Sequence, residues 1–167
     1  MKRFVILSAA VLLLAIVLSP QPAAAQLVTA RVNGGGTATF NGALDQVGIE
    51  GSQFGMQVDI YADGSAQGNF KCLMAGRSAF PGFLIMEVTG KVTAGVGDPA
   101  LGVATFSGDA VLTTGNGNHY PTTFVVTVHA GGPGVGNLQL DGQSDGFVPP
   151  AWGFPLETVV SGGISVQ

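Results

Sequence analysis

Two histidines, His119 and His129, are the side chains whose ordinary pKa lies closest to neutral pH. Strand-like alternation places His129 on the outward face that also carries Ser107 and Asp109, so the residue types of a Ser–His–Asp hydrolase fall on adjacent strands. These residue types are common on polar faces, and the chain has no His-Glu-x-x-His, phosphate-loop or CxxC motif. His119 falls in a polar turn, where we expect it to be solvated. We therefore predict no catalytic residue, no cofactor and no enzyme activity.

Asp141 and Asp145 are the candidate metal ligands of the chain. The string Asp141-Gly142-Gln143-Ser144-Asp145-Gly146 has oxygen ligands at alternating positions before a glycine, as calcium loops do. The distal glutamate that an EF-hand requires is replaced by Trp152, however, and side-chain turns at a strand end explain the same residues. Two histidines without a carboxylate cluster also argue against a zinc site. We predict no bound metal.

Cys72 is the single cysteine, so it cannot form an intrachain disulfide. It shares one face of its predicted strand with Phe70 and Met74. A lone cysteine among apolar neighbours is usually a small buried side chain rather than a reactive thiol. We expect Cys72 in the core, opposite Phe54.

The segment Phe147–Leu156 holds the single tryptophan, two phenylalanines and three prolines, and it breaks the strand pattern. One interpretation is a loop folded across one end of the sheet, which buries Trp152 as a seal. The other is a recognition loop whose rigid aromatic groups bind a sugar, a peptide or a partner surface. We expect the seal. Trp152, Phe147 and Phe154 are nevertheless the candidate ligand or partner contacts.

The amino terminus has the three parts of an export signal. Lys2 and Arg3 form a positive head, Phe4–Leu18 is an apolar run of 15 residues, and Ala23–Ala25 supplies small residues for a signal peptidase. This run is shorter than the roughly 20 residues that span a bilayer. We predict a helical signal peptide over 1–25, cleavage before Gln26, and no stable membrane anchor afterwards. The protein is then secreted or periplasmic.

The predicted mature chain, 26–167, has a length typical of a single domain. It keeps four basic residues, Arg31, Lys71, Arg77 and Lys91, against ten acidic residues. Affinity for nucleic acid comes mainly from lysine and arginine on phosphates, so this charge balance excludes nucleic acid as an expected partner. An anionic membrane surface is disfavoured for the same reason.

A period of two runs through the mature chain, with apolar residues alternating with polar or small ones, which is typical of antiparallel strands with one buried face. Glycine-containing turns separate about eight or nine such runs. Small residues among the inward positions, including Ala94 and Gly162, suit a barrel-like closed sheet, with a β-sandwich as the alternative. The inward apolar positions are predicted to be Val28, Ala30, Val32, Ala38, Phe40, Phe54, Met56, Val58, Ile60, Phe70, Cys72, Met74, Leu84, Met86, Val88, Val92, Ala104, Phe106, Ala110, Leu112, Phe124, Val126, Val128, Leu138, Leu140, Val160, Ile164 and Val166.

The hairpin around Asp63-Gly64 can be predicted to its register. A two-residue loop would place apolar residues opposite polar ones. A three-residue loop over Ala62–Gly64 instead pairs Met56 with Phe70 and puts the apolar side chains on one face. It also gives Gly64 the left-handed position of the turn, where glycine has no steric penalty. We predict the three-residue loop.

Four strings carry a resemblance to a known group of proteins. They are Gly35–Phe40, Ala104–Ala110, Phe124–Val128 and Ser161–Val166, and they resemble those of small glycine-rich β domains that bacteria secrete. The resemblance implies an all-β fold and export, and it implies no activity and no catalytic residues. We expect a non-enzymatic structural or binding module with an unidentified partner, such as one on a cell surface. The alternative is a barrel that carries a small apolar ligand.

Overall fold

The computed structural model describes residues 26–40, 49–76 and 85–167, and the predicted signal peptide, 1–25, lies outside them. The described residues form nine β-strands and no helix: β1 (Val28–Phe40), β2 (Ile49–Tyr61), β3 (Ser65–Gly76), β4 (Ile85–Asp98), β5 (Val103–Thr114), β6 (His119–His129), β7 (Asn137–Ser144), β8 (Ala151–Gly153) and β9 (Glu157–Val166). Within those ranges no helix has the length and apolar character that a bilayer span needs. The predicted all-β fold is confirmed.

All nine strands belong to one antiparallel sheet whose pairings form a ring. From β1 to β6 each strand pairs with the next in sequence, β6 pairs with β7, β7 with β9, and β9 with β1. The three-residue strand β8 adds to β7. The pairing of β9 with β7 is the shortest in the ring. It has two residue pairs, whereas β9 and β1 share nine.

The β2–β3 hairpin has the predicted register. Val58 lies opposite Gly68, Met56 opposite Phe70, and Phe54 opposite Cys72. Gly64 has a φ of 82°, the left-handed conformation that the three-residue loop requires. This loop was predictable because a one-residue slip would turn every apolar side chain of the hairpin outward.

The buried side chains face the inside of the ring, where aromatic residues fill the middle. The Phe70 ring lies 5.9 Å from that of Phe106 and 5.4 Å from that of Phe124, measured between centroids. Cys72 is fully buried, as predicted. Leu84 lies outside the described residues, Val28 and Ala110 are half-buried, and Val160 is exposed.

Two β-bulges explain where the predicted alternation is wrong. In the β1–β9 pairing Thr37 faces Ser161 but Ala38 faces Val159, so Val160 is an extra residue and the alternation reverses there. Val160 is therefore outward, at 55% exposure, while Val159 is buried.

The second bulge lies in the β4–β5 pairing, between Val92 and Ala94. Ala94 is exposed rather than inward. Gly97 takes an inward position instead, where an added Cβ would lie 2.7 Å from the Cβ of Ala30. After the extra residue, the inward and outward positions at the end of β4 are therefore exchanged.

Candidate functional site

One end of the ring holds all the polar side chains that are buried in the described part of the chain. They are Ser52, Thr114, Thr122, Ser144 and Glu157. Ser52 lies near the start of β2, Thr114 at the end of β5, and Glu157 at the start of β9, and antiparallel pairing brings these strand ends together. We call this end, at which β1 finishes and β9 begins, the cap end.

Glu157 is the most unusual member of this group, because its side chain has no exposure to solvent. The bulge at Val160 turns it inward, between Phe40 of β1 and Leu138 of β7. The hydroxyl of Ser52 donates a short hydrogen bond to Oε2 of the carboxyl. Oε1 is buried and has no hydrogen-bond partner among the described residues. A buried polar atom without a partner is rare in a folded protein and requires a physical explanation.

Burial sets the acidity of both titratable groups at this site. Desolvation raises the pKa of Glu157 from 4.5 to about 7, and the hydrogen bond from Ser52 opposes that rise. The pKa of Cys72 is raised far above its usual range, first by desolvation and then by the nearby negative charge of Glu157. The site therefore favours a protonated carboxyl and an inert thiol.

The segment Phe147–Leu156, which we call the cap, closes this end of the ring. Trp152 is 6% exposed, and its Nε1–H donates to Oγ of Ser144 at 2.9 Å. Ser144 is itself 2.6 Å from Oγ1 of Thr122, so both hydroxyls are satisfied in the interior. The indole lies against Gly142, where an added Cβ would come within 2.3 Å of Cζ2 of the ring. Glycine at this inward position makes the room that Trp152 occupies.

The other two aromatic residues of the cap are buried as well. Phe147 packs edge-on against Tyr120 of β6, with ring centroids 5.3 Å apart. Phe154 lies 5.5 Å from the centroid of Trp152 and 5.9 Å from that of Phe40, which is the residue opposite Glu157. Burial of all three predicted contact residues is the arrangement that a seal requires.

The strand register keeps the three residue types of the hydrolase cluster apart. Ser107 lies opposite Val125, and Asp109 opposite Thr123, whereas His129 lies opposite Val103 at the far end of the same strands. At about 3.3 Å per residue, His129 is displaced along the strands by roughly 13 Å from Ser107 and 20 Å from Asp109. These distances exclude the hydrogen bonds of a triad in this arrangement.

His119 and the two candidate metal ligands are exposed in the structure. Nδ1 of His119 lies 3.0 Å from Oγ1 of Thr113 on the neighbouring strand. Asp141 belongs to strand β7, so the predicted turn at Asp141-Gly142 is wrong, and Asp145 follows the end of that strand. No group of three or more metal-ligating side chains occurs within 26–40, 49–76 and 85–167.

The outer face of the sheet carries open grooves. One groove of about 600 Å³ runs over β2, β3 and β4 and is lined by Gln57, Gln67, Asn69 and Lys91 among others. A neighbouring groove of about 370 Å³ shares Asn69 and Lys91 and reaches Asp109.

Glu157 is the residue that sequence reasoning missed. Counting alternate positions back from Ile164 puts Val160 inward and makes Glu157 an outward residue, because the count assumes an unbroken strand. The sequence does contain a signal, since the glycine pair Gly162-Gly163 inside a strand is typical of a bulge or a close backbone approach. Gly162 has a φ of 79°, and an added Cβ there would lie 2.0 Å from the carbonyl oxygen of Gly35.

The chain matches no protein-family model, no curated protein and no solved structure.

Proposed function

We propose that the protein is an exported, non-enzymatic structural or binding module, and that its ring of strands is a closed barrel that acts through its outer surface. The observation that carries this proposal is the packed interior. Three phenylalanine rings meet in the middle of the ring, with neighbouring centroids 5.4 Å and 5.9 Å apart, and the cap buries Trp152 at one end. Contacts with a partner then belong on the outside.

The outer grooves support this assignment. Gln57, Gln67 and Asn69 line them with amide groups, and Lys91 and Asp109 add charges of opposite sign. Lys91 and Asp109 face one another across β4 and β5 without forming an ion pair within 4 Å among the described residues. Their hydrogen-bonding groups are therefore available to a polar partner, such as one on a cell surface.

Native mass spectrometry of the secreted protein tests the proposal. We expect a polypeptide that begins at Gln26, with no bound small molecule, and the same mass after denaturation and desalting. A retained Met1–Ala25 segment would contradict export. A molecule lost only on denaturation would contradict the module and favour a carrier.

The second candidate is a carrier of a small, mainly apolar ligand inside the barrel, and Glu157 favours it. An unpartnered carboxyl oxygen in an apolar interior provides one hydrogen-bonding point for a ligand. A co-purifying molecule that is lost in Glu157→Gln would support the carrier, because the amide changes the group that Oε1 offers.

A further inference from the structure

Among the described residues, no positive charge lies inside the ring to balance the buried carboxyl of Glu157 if it ionises. All three described lysine and arginine side chains, Arg31, Lys71 and Lys91, are exposed on the outer face. Arg31 pairs with Asp59 at 2.8 Å and Lys71 with Glu87 at 3.1 Å. An ionised carboxylate in an apolar interior without a partner is strongly unfavourable.

The described elements around the carboxyl present two groups to it, the hydroxyl of Ser52 from β2 and the thiol of Cys72 from β3. β1 and β7 contribute the apolar side chains Phe40 and Leu138. The cap has no titratable side chain, and Tyr120 of β6 packs on the cap residue Phe147. The other charged residues on the four strands whose side chains the structure describes are Arg31 on β1, Asp59 on β2, Lys71 on β3 and Asp141 on β7, all on the outer face. The side chain of Glu50, also on β2, lies outside the described part.

Few strand pairs hold the cap to the rest of the sheet. It ends at Leu156, so Glu157 is the next residue along the chain. Its strand β8 makes three residue pairs with β7, and β9 makes two, whereas β9 and β1 are joined by nine. The bonds that hold Trp152 and Phe154, to Oγ of Ser144 and to the carbonyl of Leu140, both run to β7. Local opening concentrates where few contacts hold a segment.

We propose that the cap is a proton-controlled gate over the interior, closed while the Glu157 carboxyl is protonated and open when that carboxyl is ionised. Ionisation places a charge beside Phe40, which packs on Phe154 of the cap, and water must reach the carboxylate to solvate it. Moving the cap admits water at the loss of the three β8 pairs, the cap bonds to β7 and the burial of Trp152 and Phe154, while the β1–β9 ladder stays intact. The released proton passes to the solvent, and rebinding closes the cap.

The direction of the response follows from the acidity of the carboxyl. Burial raises its pKa to about 7 in the closed structure, so the carboxyl loses its proton near neutral pH, and ionisation favours the open cap above that range. This inference rests on the contacts at the cap end and holds whether the protein is a module or a carrier. In a carrier, the same gate would control entry to the barrel.

Acrylamide quenching of Trp152 tests the gate, because Trp152 is the single tryptophan of the chain. The secreted protein is titrated from about pH 5 to about pH 9 at constant ionic strength, a range that brackets the carboxyl transition. We expect blue-shifted, poorly quenched emission at the acid end. The quenching constant should rise severalfold, with a red shift, through neutral pH while far-UV circular dichroism stays constant.

Three variants test whether the carboxyl of Glu157 is the group whose ionisation exposes Trp152. Glu157→Gln should keep Trp152 shielded over the whole range, because the amide cannot ionise. Ser52→Ala should move the transition to higher pH, since it removes the hydrogen bond that lowers the pKa of the carboxyl. Asp109→Asn, which removes an exposed carboxylate on β5, should leave the wild-type transition unchanged.

Three results would overturn the gate. They are constant shielding of Trp152 in the wild type, an equal rise of the quenching constant in Glu157→Gln, and a rise of that constant that coincides with loss of the β-sheet signal. Should Glu157→Gln fail to fold, the shift in Ser52→Ala decides the matter, because an unshifted midpoint would assign the transition to another group.

Discussion

Replacing Glu157 by glutamine should remove a large pH dependence from the stability of the fold. The carboxyl has a pKa of about 7 in the folded chain against 4.5 as its ordinary value. Because the folded chain binds this proton more tightly, protonation favours folding. Its contribution is fully present below about pH 4.5 and is lost as the pH rises to about 7. At 1.36 kcal/mol for each pH unit, the loss amounts to about 3 kcal/mol of unfolding free energy.

This magnitude is an upper limit for the wild type, because opening of the cap would solvate the carboxylate and reduce the loss. The opposite contribution of Glu87 and Asp63 does not overlap with it. Hydrogen bonds, led by those from Thr89 and Ser65 respectively, lower the pKa of these carboxyls, so their effect is confined to the acid side of their ordinary pKa. Between about pH 5 and about pH 8 the slope thus reports Glu157.

Urea unfolding followed by far-UV circular dichroism, repeated across this pH range, measures the effect. The wild type and Asp109→Asn should lose stability with rising pH, and Glu157→Gln should show no such slope. At the alkaline end the variant should be more stable than the wild type. A wild-type stability that is constant over the range, or an unchanged slope in Glu157→Gln, would refute the reasoning that this carboxyl is buried without compensation.

Three further predictions concern the cap and the core, all measured by denaturation at pH values at which the cap is closed. Trp152→Ala should lower the unfolding free energy by about 3–5 kcal/mol, because a buried indole leaves a cavity; a loss under about 0.5 kcal/mol would instead mark a surface recognition residue. Gly142→Ala should cost about 1–3 kcal/mol by displacing the indole, whereas Gly55→Ala, with open space around its Cβ, should change stability by less than about 0.5 kcal/mol. Cys72 should react with a thiol reagent only after unfolding, and Cys72→Ala should cost about 1–2 kcal/mol; rapid labelling of the folded protein would contradict its burial.

Much of the sheet was predictable because the side chains of a strand alternate with a strict period of two. The hairpin between Ile60 and Ala66 was derived to its register, since only one loop length puts Met56, Phe70 and Cys72 on one face. Local turn chemistry at Gly64 agreed with that choice. Where local backbone preference and burial favour the same pairing, the sequence alone is sufficient to predict the register.

The cap could be anticipated only as two alternatives. Three prolines and three aromatic residues show that Phe147–Leu156 is not a regular strand, but the same composition suits a seal and a recognition surface. The contact of Trp152 with Gly142 decides in favour of burial, and it depends on β8 lying beside β7. Glycine and tryptophan ten residues apart carry no local sign of that contact.

The sequence by itself determined the strand class, the register of the β2–β3 hairpin and the burial of Cys72, because each depends on the order of side chains along one or two neighbouring strands. Only the tertiary structure decided that Val160 faces outward and Glu157 inward. That outcome comes from one extra residue in the pairing of β9 with β1, two strands more than a hundred residues apart in the chain. A bulge reverses the alternation on one side of it relative to the other, so Glu157, which an unbroken count from Ile164 assigns to solvent, enters the core.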